Sequence, residues 1–236
     1  DVSASVAVCD NKWHHAAFVY TGHAGGSKLS LYLDGAVVKE QYISPLETTH
    51  SPLNIGWYPL YNANGFHVGQ LDSVYVYNTA LTAAQIAEVY AKDACPFPAP
   101  IAAYSFDGSL GSSLVDGLPL VASRPLEFGT GAPVYGFTAD RCGRANSALD
   151  MPSGASTYFT AAVSGLPSGS GARSATVWVR CAPTPDFETA FLQYGIRTSN
   201  HNSGLLNAHG SLHFVGEYND VSASVAVCDN KWHHAA

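Results

Sequence analysis

Seventeen residues occur twice in this chain without a single difference between the copies. Residues 1–17 (DVSASVAVCDNKWHHAA) recur as residues 220–236, an offset of 219 residues in a chain of 236. Ordinary divergence would have altered some surface positions, so the duplication is recent, continually homogenised or engineered. Three origins stay open at this point: a window cut from a tandem array with a period of 219 residues, a circular permutant with overlapping ends, or an artefact.

A proline-rich spacer in the middle of the chain favours the tandem array. Residues 96–100 read PFPAP, and alternating prolines sustain neither a helix nor a central strand. Ile101 then begins a new strand-like pattern. We therefore expect residues 1–95 to be the C-terminal part of one repeat, residues 96–100 to be a linker and residues 101–236 to be the N-terminal part of the next repeat. A designed permutant would usually join its old termini with flexible glycine and serine.

Composition and charge exclude two classes of partner. Hydrophobic residues make up 47% of the chain, which is enough for a sizeable core. The formal net charge is -7, and no run of Lys or Arg could follow a phosphate backbone, so we expect no nucleic-acid partner. No stretch of about 18 uncharged apolar residues and no basic-then-apolar leader occurs. We expect a soluble mature fragment without membrane insertion.

The local pattern predicts mostly short β-strands with one helix. Residues 29–33 (LSLYL) alternate along the chain before an Asp34-Gly35 turn, which predicts a β-hairpin. Thr82 and Gln85 have the spacing of a capping box, in which each side chain bonds to the backbone of the other residue. The helix that follows would bury an apolar face made of Leu81, Ile86, Val89 and Tyr90.

Four segments share the pattern of one β-sandwich family when the chain is read from residue 101 to 236 and then from 18 to 95. They are AYSFDG (103–108), GRANSALDM (143–151) with ATVWVR (175–180), DNKWHHAAFVY (10–20) with LSLYLDGAV (29–37), and GQLDSVYVYNTALT (69–82). This pattern resembles the laminin-G-like group of the concanavalin A-like jelly rolls, to which pentraxins are related. The resemblance implies an all-β fold, a two-sheet antiparallel jelly-roll sandwich with one short helix near the domain C-terminus. The space between the sheets would be filled by Trp13, Phe18, Tyr20 and Trp178.

Cysteine usage predicts two disulfides and an oxidising, extracellular setting. The five cysteines reduce to four per period, because Cys9 and Cys228 occupy the same position in the two copies. The resemblance to pentraxins implies a bond between Cys181 and Cys228, so that Cys9 would pair outside this window. Cys95 and Cys142 remain, and their bond would lie either within one domain or across the linker between neighbours.

The sequence contains no catalytic constellation, so we expect a protein that is not an enzyme. Members of this superfamily that hydrolyse β-glucans cluster carboxylates on one strand, and retaining chemistry needs two carboxyl groups about 5 Å apart. No Glu-x-Asp-x-x-Glu arrangement and no Gly-x-Ser-x-Gly elbow occurs in the sequence. The adjacent His14 and His15 would point to opposite faces of a strand, so they would not share a metal ion.

A structural calcium ion is the cofactor that the resemblance implies. Laminin-G-like domains often bind one where their first and last strands meet, and the matching positions are Asp107 of the FDG motif and Asp72 of GQLDSV. Asp116 could supply a third carboxylate for a cation that takes six to eight oxygen ligands. Alternatively, Asp72 and Asp107 cap turns by accepting backbone hydrogen bonds.

An aromatic loop is the candidate contact surface. Residues 56–65 (GWYPLYNANG) include aromatic and amide side chains that could stack on a glycan or hydrogen-bond to it: Trp57, Tyr58, Tyr61 and Asn62. The same side chains could form a contact between adjacent domains, which is the interpretation that an array favours. No Asn-x-Ser/Thr sequon occurs, whereas the many Ser and Thr residues and the linker prolines leave O-linked modification open, with candidate positions around Pro96, Pro98 and Pro100.

Together these features predict the structural repeat unit of an extracellular fibre or cell-surface appendage. Its partners would be neighbouring identical repeats, because one interface repeated head to tail without closing builds a filament. The alternative is a lectin-like adhesion module whose repeats gain avidity for glycans.

Overall fold

The computed structural model describes nine stretches of the chain: residues 14–22, 27–58, 65–92, 99–114, 117–125, 130–181, 188–208, 211–226 and 231–233. Several residues that the sequence singles out lie outside these stretches: Cys9, Trp13, Tyr61, Asn62, Cys95, Pro96, Pro98, Asp116 and Cys228. The predicted repeat boundaries at residues 95 and 101 stay predictions.

The described residues form two antiparallel sheets and one helix. In chain order the elements are β1 (His14–Tyr20), β2 (Ser27–Leu33), β3 (Ala36–Ile43), β4 (Leu53–Ile55), β5 (Gly69–Tyr77), α1 (Ala83–Lys92), β6 (Ala102–Tyr104), β7 (Val121–Ser123), β8 (Gly136–Thr138), β9 (Ala148–Met151), β10 (Tyr158–Ala161), β11 (Arg173–Cys181), β12 (Glu188–Gly195), β13 (Asn202–Ala208), β14 (Ser211–Val215), β15 (Val221–Ala226) and β16 (Lys231–His233). The nine-stranded sheet has the order β3-β2-β1-β11-β5-β9-β8, with β16 beside β11 and β6 beside β5. The seven-stranded sheet has the order β15-β14-β13-β12-β4-β10-β7. The predicted all-β fold is confirmed, and its two sheets are consistent with a jelly-roll sandwich.

The main core contains residues from both sheets and from both ends of the chain. Phe18 of β1 is fully buried and meets Phe214 of β14 edge to face, with ring centroids 4.9 Å apart. Val177 of β11 and Leu205 of β13 belong to the same buried cluster. Residues near the two ends of the chain therefore pack into one sandwich.

Trp178 lies on the outer face of its sheet, so the prediction that it fills the space between the sheets is wrong. Successive side chains of a strand point to opposite faces, and Val177 and Val179 take the inward positions of β11. Trp178 packs instead against the rings of His15 and Tyr90, with centroids 5.9 Å away in each case. Tyr90 is consequently only partly covered, with 39% of its surface exposed.

The predicted hairpin and helix cap are both confirmed. β2 pairs with β3 around Asp34 and Gly35, which adopt φ angles of 51° and 76° as a two-residue hairpin turn requires. At the start of α1, the Thr82 backbone N–H donates to Gln85 Oε1 (2.8 Å), and the Gln85 backbone N–H donates to Thr82 Oγ1 (3.2 Å). No helix among the described residues combines the length and apolar character needed to cross a membrane.

Candidate functional site

Both copies of the repeated segment lie beside the same strand. β1 pairs with residues 173–179 of β11, and β16 pairs with residues 179–181. His14 of β1 and His233 of β16 are both in register with Val179. These two histidines are equivalent positions of the repeat, 219 residues apart in the sequence.

The two copies together build one strand position of the nine-stranded sheet. β16 covers the end of β11 and β1 covers the remainder, in the order and register of an uninterrupted KWHHAAFVY segment. One edge of a strand accepts one partner at each position, because its backbone N–H and C=O groups form a single ladder. His233 and His14 are the same position of the repeat, so the two copies meet at Val179, where a 219-residue repeat would be continuous.

The predicted first and last strands of the repeat are neighbours. β6 pairs with β5, and Tyr104 is in register with Val74. The backbone N–H of Ile101 donates to the carbonyl of Val76 (2.7 Å). Pro100 is buried just before this contact, and O-linked modification around it stays a prediction. The predicted start of the repeat thus lies beside its predicted last strand, within one sandwich.

The predicted calcium ligands do not form a cluster in the described structure. Asp72 is buried, and its Oδ2 lies 3.7 Å from Nη1 of Arg141, whose guanidinium also lies over the Trp178 ring, 4.3 Å from the centroid. Asp107 is exposed. No group of three or more His, Cys, Asp or Glu side chains placed to hold a metal ion occurs among the described residues. A guanidinium supplies positive charge beside Asp72. Asp116 lies outside the described residues, so the calcium site stays a prediction.

A hydrogen-bonded turn places Arg141 over the sheet. Asp140 Oδ1 accepts the backbone N–H groups of Cys142 (2.9 Å) and Arg144 (2.8 Å), and its Oδ2 accepts Nε of Arg144 (2.6 Å). The hydrogen bond to Asp140 raises the pKa of Arg144 above its ordinary value, and burial opposes this rise. Sequence reasoning missed Arg141, because its partners Asp72 and Trp178 are far away along the chain. It also missed Arg144, although Asp140 is only four positions away.

The two cysteines within the described residues are in different states. Cys181, at the end of β11, is buried and disulfide-bonded. Its predicted partner Cys228 lies outside the described residues, so that pairing stays a prediction. Cys142 is a free, exposed thiol in the turn held by Asp140. Cys95 lies outside the described residues, so a bond between these two positions, within one domain or between neighbours, stays a prediction.

The aromatic loop is packed onto the sandwich where the structure describes it. Tyr58 is buried, and Trp57 is half-buried, stacked on Phe66 with centroids 5.8 Å apart and packed against Tyr158 at 4.5 Å. An antiparallel bridge between Trp57 and Phe66 holds this arrangement. Tyr58 thus lies inside the sandwich, whereas Trp57 keeps part of its surface exposed. A glycan or interdomain contact at these two residues stays a prediction. A contact role for the remaining loop residues, Tyr61 and Asn62, stays a prediction.

A cleft of about 260 Å³ lies on the outer face of the seven-stranded sheet. Leu206 lines it, and its neighbour Leu205 points the opposite way into the main core. Six other residues from separate strands and loops add polar groups to the lining: Tyr58, Glu188, His213, Glu217, Tyr218 and Asp220. Three of these six are carboxylates, so the cleft is acidic.

Two hydrogen-bonded groups fix the shape of the acidic cleft. The Tyr58 hydroxyl donates to Glu217 Oε1 (2.8 Å). Burial and then this bond raise the pKa of Tyr58 far above its ordinary value, so the phenol stays protonated. Asp220 Oδ1 accepts the backbone N–H groups of Gly216 (2.9 Å) and Glu217 (3.1 Å) across a turn in which Glu217 and Tyr218 have φ angles of 57° and 74°. Sequence reasoning missed this cleft, since only the fold brings these residues together.

The hairpin, the capped helix and the strand before them agree with one known family pattern. The laminin-G-like model of the concanavalin A-like lectin/glucanases superfamily matches residues 1–87. The superfamily match covers the strands β1 to β5 and the start of α1, and the antiparallel sandwich extends the same fold over the other described residues. The superfamily supports a lectin-like or structural module. Neither the comparison with curated proteins nor the comparison with solved structures gives a match.

Proposed function

We propose that this chain represents one repeat of an extracellular structural protein, a fibre or cell-surface appendage in which identical laminin-G-like sandwiches follow one another. The observation that carries the proposal is the common register of β1 and β16 at Val179. A repeat that runs through residues 101–236 and then through the sequence of residues 18–95 would contain this strand without a break.

The neighbouring positions of β5 and β6 support the same repeat unit. The repeat would begin at β6, beside β5, and only α1 separates β5 from the linker. The linker of residues 96–100 spans at most about 18 Å when fully extended. Consecutive domains in the proposed array would therefore be close neighbours, with identical repeats as the main partners.

The extracellular setting and the absence of catalysis are also parts of the proposal. Laminin-G-like domains are typically extracellular and generally non-catalytic, although some members of the superfamily are glycosidases. The disulfide at Cys181 supports an oxidising compartment. In the acidic cleft, Glu217 accepts the hydrogen bond of Tyr58, which gives that carboxylate a structural role.

The intact mass of the natural polypeptide tests the repeat proposal. We expect a mass that corresponds to several 219-residue units, and peptides from a digest that join residue 236 directly to residue 18. A natural polypeptide that contains only one such unit would contradict the proposal.

Glycan binding is a second candidate function, favoured by the acidic cleft. Tyr218 lies at this cleft with 86% of its surface exposed, beside the carboxylates of Glu217 and Asp220. An exposed ring next to hydrogen-bond acceptors suits a sugar, which offers an apolar face and several hydroxyl donors. A glycan array probed with the wild type and with Tyr218→Ala tests this candidate: specific binding that the variant loses supports it, and absence of binding refutes it.

A further inference from the structure

Two identical segments, residues 12–14 and residues 231–233, can pair with residues 179–181 of β11. This position holds β16, and residues 12–14 have the same sequence, KWH, and continue directly into β1. Because the segments are identical, either one can form the same backbone ladder with β11 in the same register. Only one of them can be paired with Arg180 and Cys181 at a time, and β16 is paired there in this structure.

We propose that this position also accepts the KWH segment of a second copy of the chain. When residues 12–14 fill the position in their own molecule, residues 231–233 are released and can pair with β11 of a neighbour. A second copy of the chain fits as the partner because its KWH segment has the same sequence and would take the same register at Val179. The inference goes beyond the proposed function, because it concerns separate molecules and does not require a long natural array.

Such an exchange joins molecules head to tail. The donor segment follows β15, an edge strand of the seven-stranded sheet, whereas the acceptor β11 lies inside the nine-stranded sheet. Donor and acceptor are therefore different surfaces of the molecule. A contact between unlike surfaces continues from one molecule to the next unless its rotation closes a ring.

Concentration decides between pairing within one molecule and exchange between molecules. A segment tethered by a short linker has an effective concentration of about millimolar at its own position. Exchange is therefore expected when the chain refolds at comparable protein concentrations. Because Cys181 is disulfide-bonded, the chain has to be reduced first, so that the bond does not fix the pairing in advance.

A comparison of the full chain with a chain that ends at Ala226 tests the exchange. The shorter chain keeps residues 12–14 and lacks the donor copy of KWH. Both are refolded from denaturant under reducing conditions over a series of concentrations, and their masses are measured by light scattering after size exclusion. We expect dimers and larger species from the full chain, in a fraction that rises with concentration, and monomers from the shorter chain. Equal mass distributions would overturn the proposal.

A peptide provides a second readout that does not depend on folding of the shorter chain. A fluorescent peptide of residues 227–236 is added in excess while the full chain refolds, and a control peptide carries Trp232→Pro, which removes a backbone N–H. We expect the first peptide to co-elute with the chain and to return it to the monomer, and the control peptide to do neither. If both peptides or neither co-elute, the proposal is refuted. The mass of the natural polypeptide is measured separately, so this proposal and the proposed function can fail independently.

Discussion

Removal of the Phe18 ring tests whether the two ends of the chain share one core. Phe18 lies in β1 near the start of the chain, and its ring meets that of Phe214 in β14, close to the other end, at a centroid distance of 4.9 Å. Both rings are fully buried between the sheets. Truncation of a buried Phe to Ala costs about 3–5 kcal/mol, because it removes apolar burial and leaves a cavity. Of this, the edge-to-face contact contributes about 0.5–1.5 kcal/mol beyond area burial.

A double-mutant cycle measures this contact directly. We expect Phe18→Ala and Phe214→Ala each to lower the free energy of unfolding in urea by about 3–5 kcal/mol. The free energy of unfolding of the double variant should fall by about 1 kcal/mol less than the sum of the two single losses. The reason is that the ring contact is already gone after the first substitution. A cycle of Phe→Leu substitutions keeps the measurement possible if the Ala variants unfold. Tyr42→Ala on β3 is the control. Tyr42 is 77% exposed, so its removal should change the free energy of unfolding by less than about 0.5 kcal/mol. Additive effects, or a Phe18→Ala loss no larger than the control, would refute the shared core.

Three further predictions concern single side chains. Arg141→Met should lower the free energy of unfolding by about 1–3 kcal/mol, because it removes the guanidinium beside the buried Asp72 carboxylate. Burial lowers the pKa of His67 from 6.5 to about 3, so between these values the unfolded chain binds a proton that the folded chain excludes. Stability should therefore fall as the pH drops through this window, and it should fall less in His67→Leu, as urea unfolding at about pH 7 and about pH 4.5 would show. Cys142→Ser should remove one equivalent of reactive thiol from the native protein and change stability by less than about 0.5 kcal/mol.

Each of these three predictions can be contradicted by one result. An Arg141→Met variant as stable as the wild type would mean that the Asp72 carboxylate does not need this arginine. An unchanged pH dependence in His67→Leu would mean that His67 is not buried in its neutral form. An unreactive Cys142 would mean that its turn is covered or that the thiol is bonded.

Elements specified by local sequence could be predicted residue by residue. The turn at Asp34 and Gly35 and the reciprocal bonds between Thr82 and Gln85 depend on residues at most a few positions apart. Such short-range patterns have one favourable backbone geometry. The two-sheet sandwich followed from the family pattern, once the chain was read in its circular order.

Features that depend on distant residues could not be predicted in this way. Trp178 was expected inside because it is large and apolar, but the alternation of β11 gives the inward positions to its smaller neighbours. The contact of Arg141 with Asp72 and Trp178 joins three separate parts of the chain. The acidic cleft likewise combines Tyr58 with residues around Glu217. No spacing rule in the sequence relates such positions.

A rejoined chain tests most directly whether the sandwich is one repeat read out of register. In this chain, residues 101–236 are followed immediately by residues 18–95, so that the strand from Lys231 through Tyr20 is covalently continuous and each segment is present once. Its unfolding in urea is compared with that of the 236-residue chain. We expect one cooperative transition with a free energy of unfolding at least as large as that of the original, because the interruption at Val179 has been closed. A rejoined chain that fails to fold, or that unfolds more easily than the original, would contradict the proposed repeat.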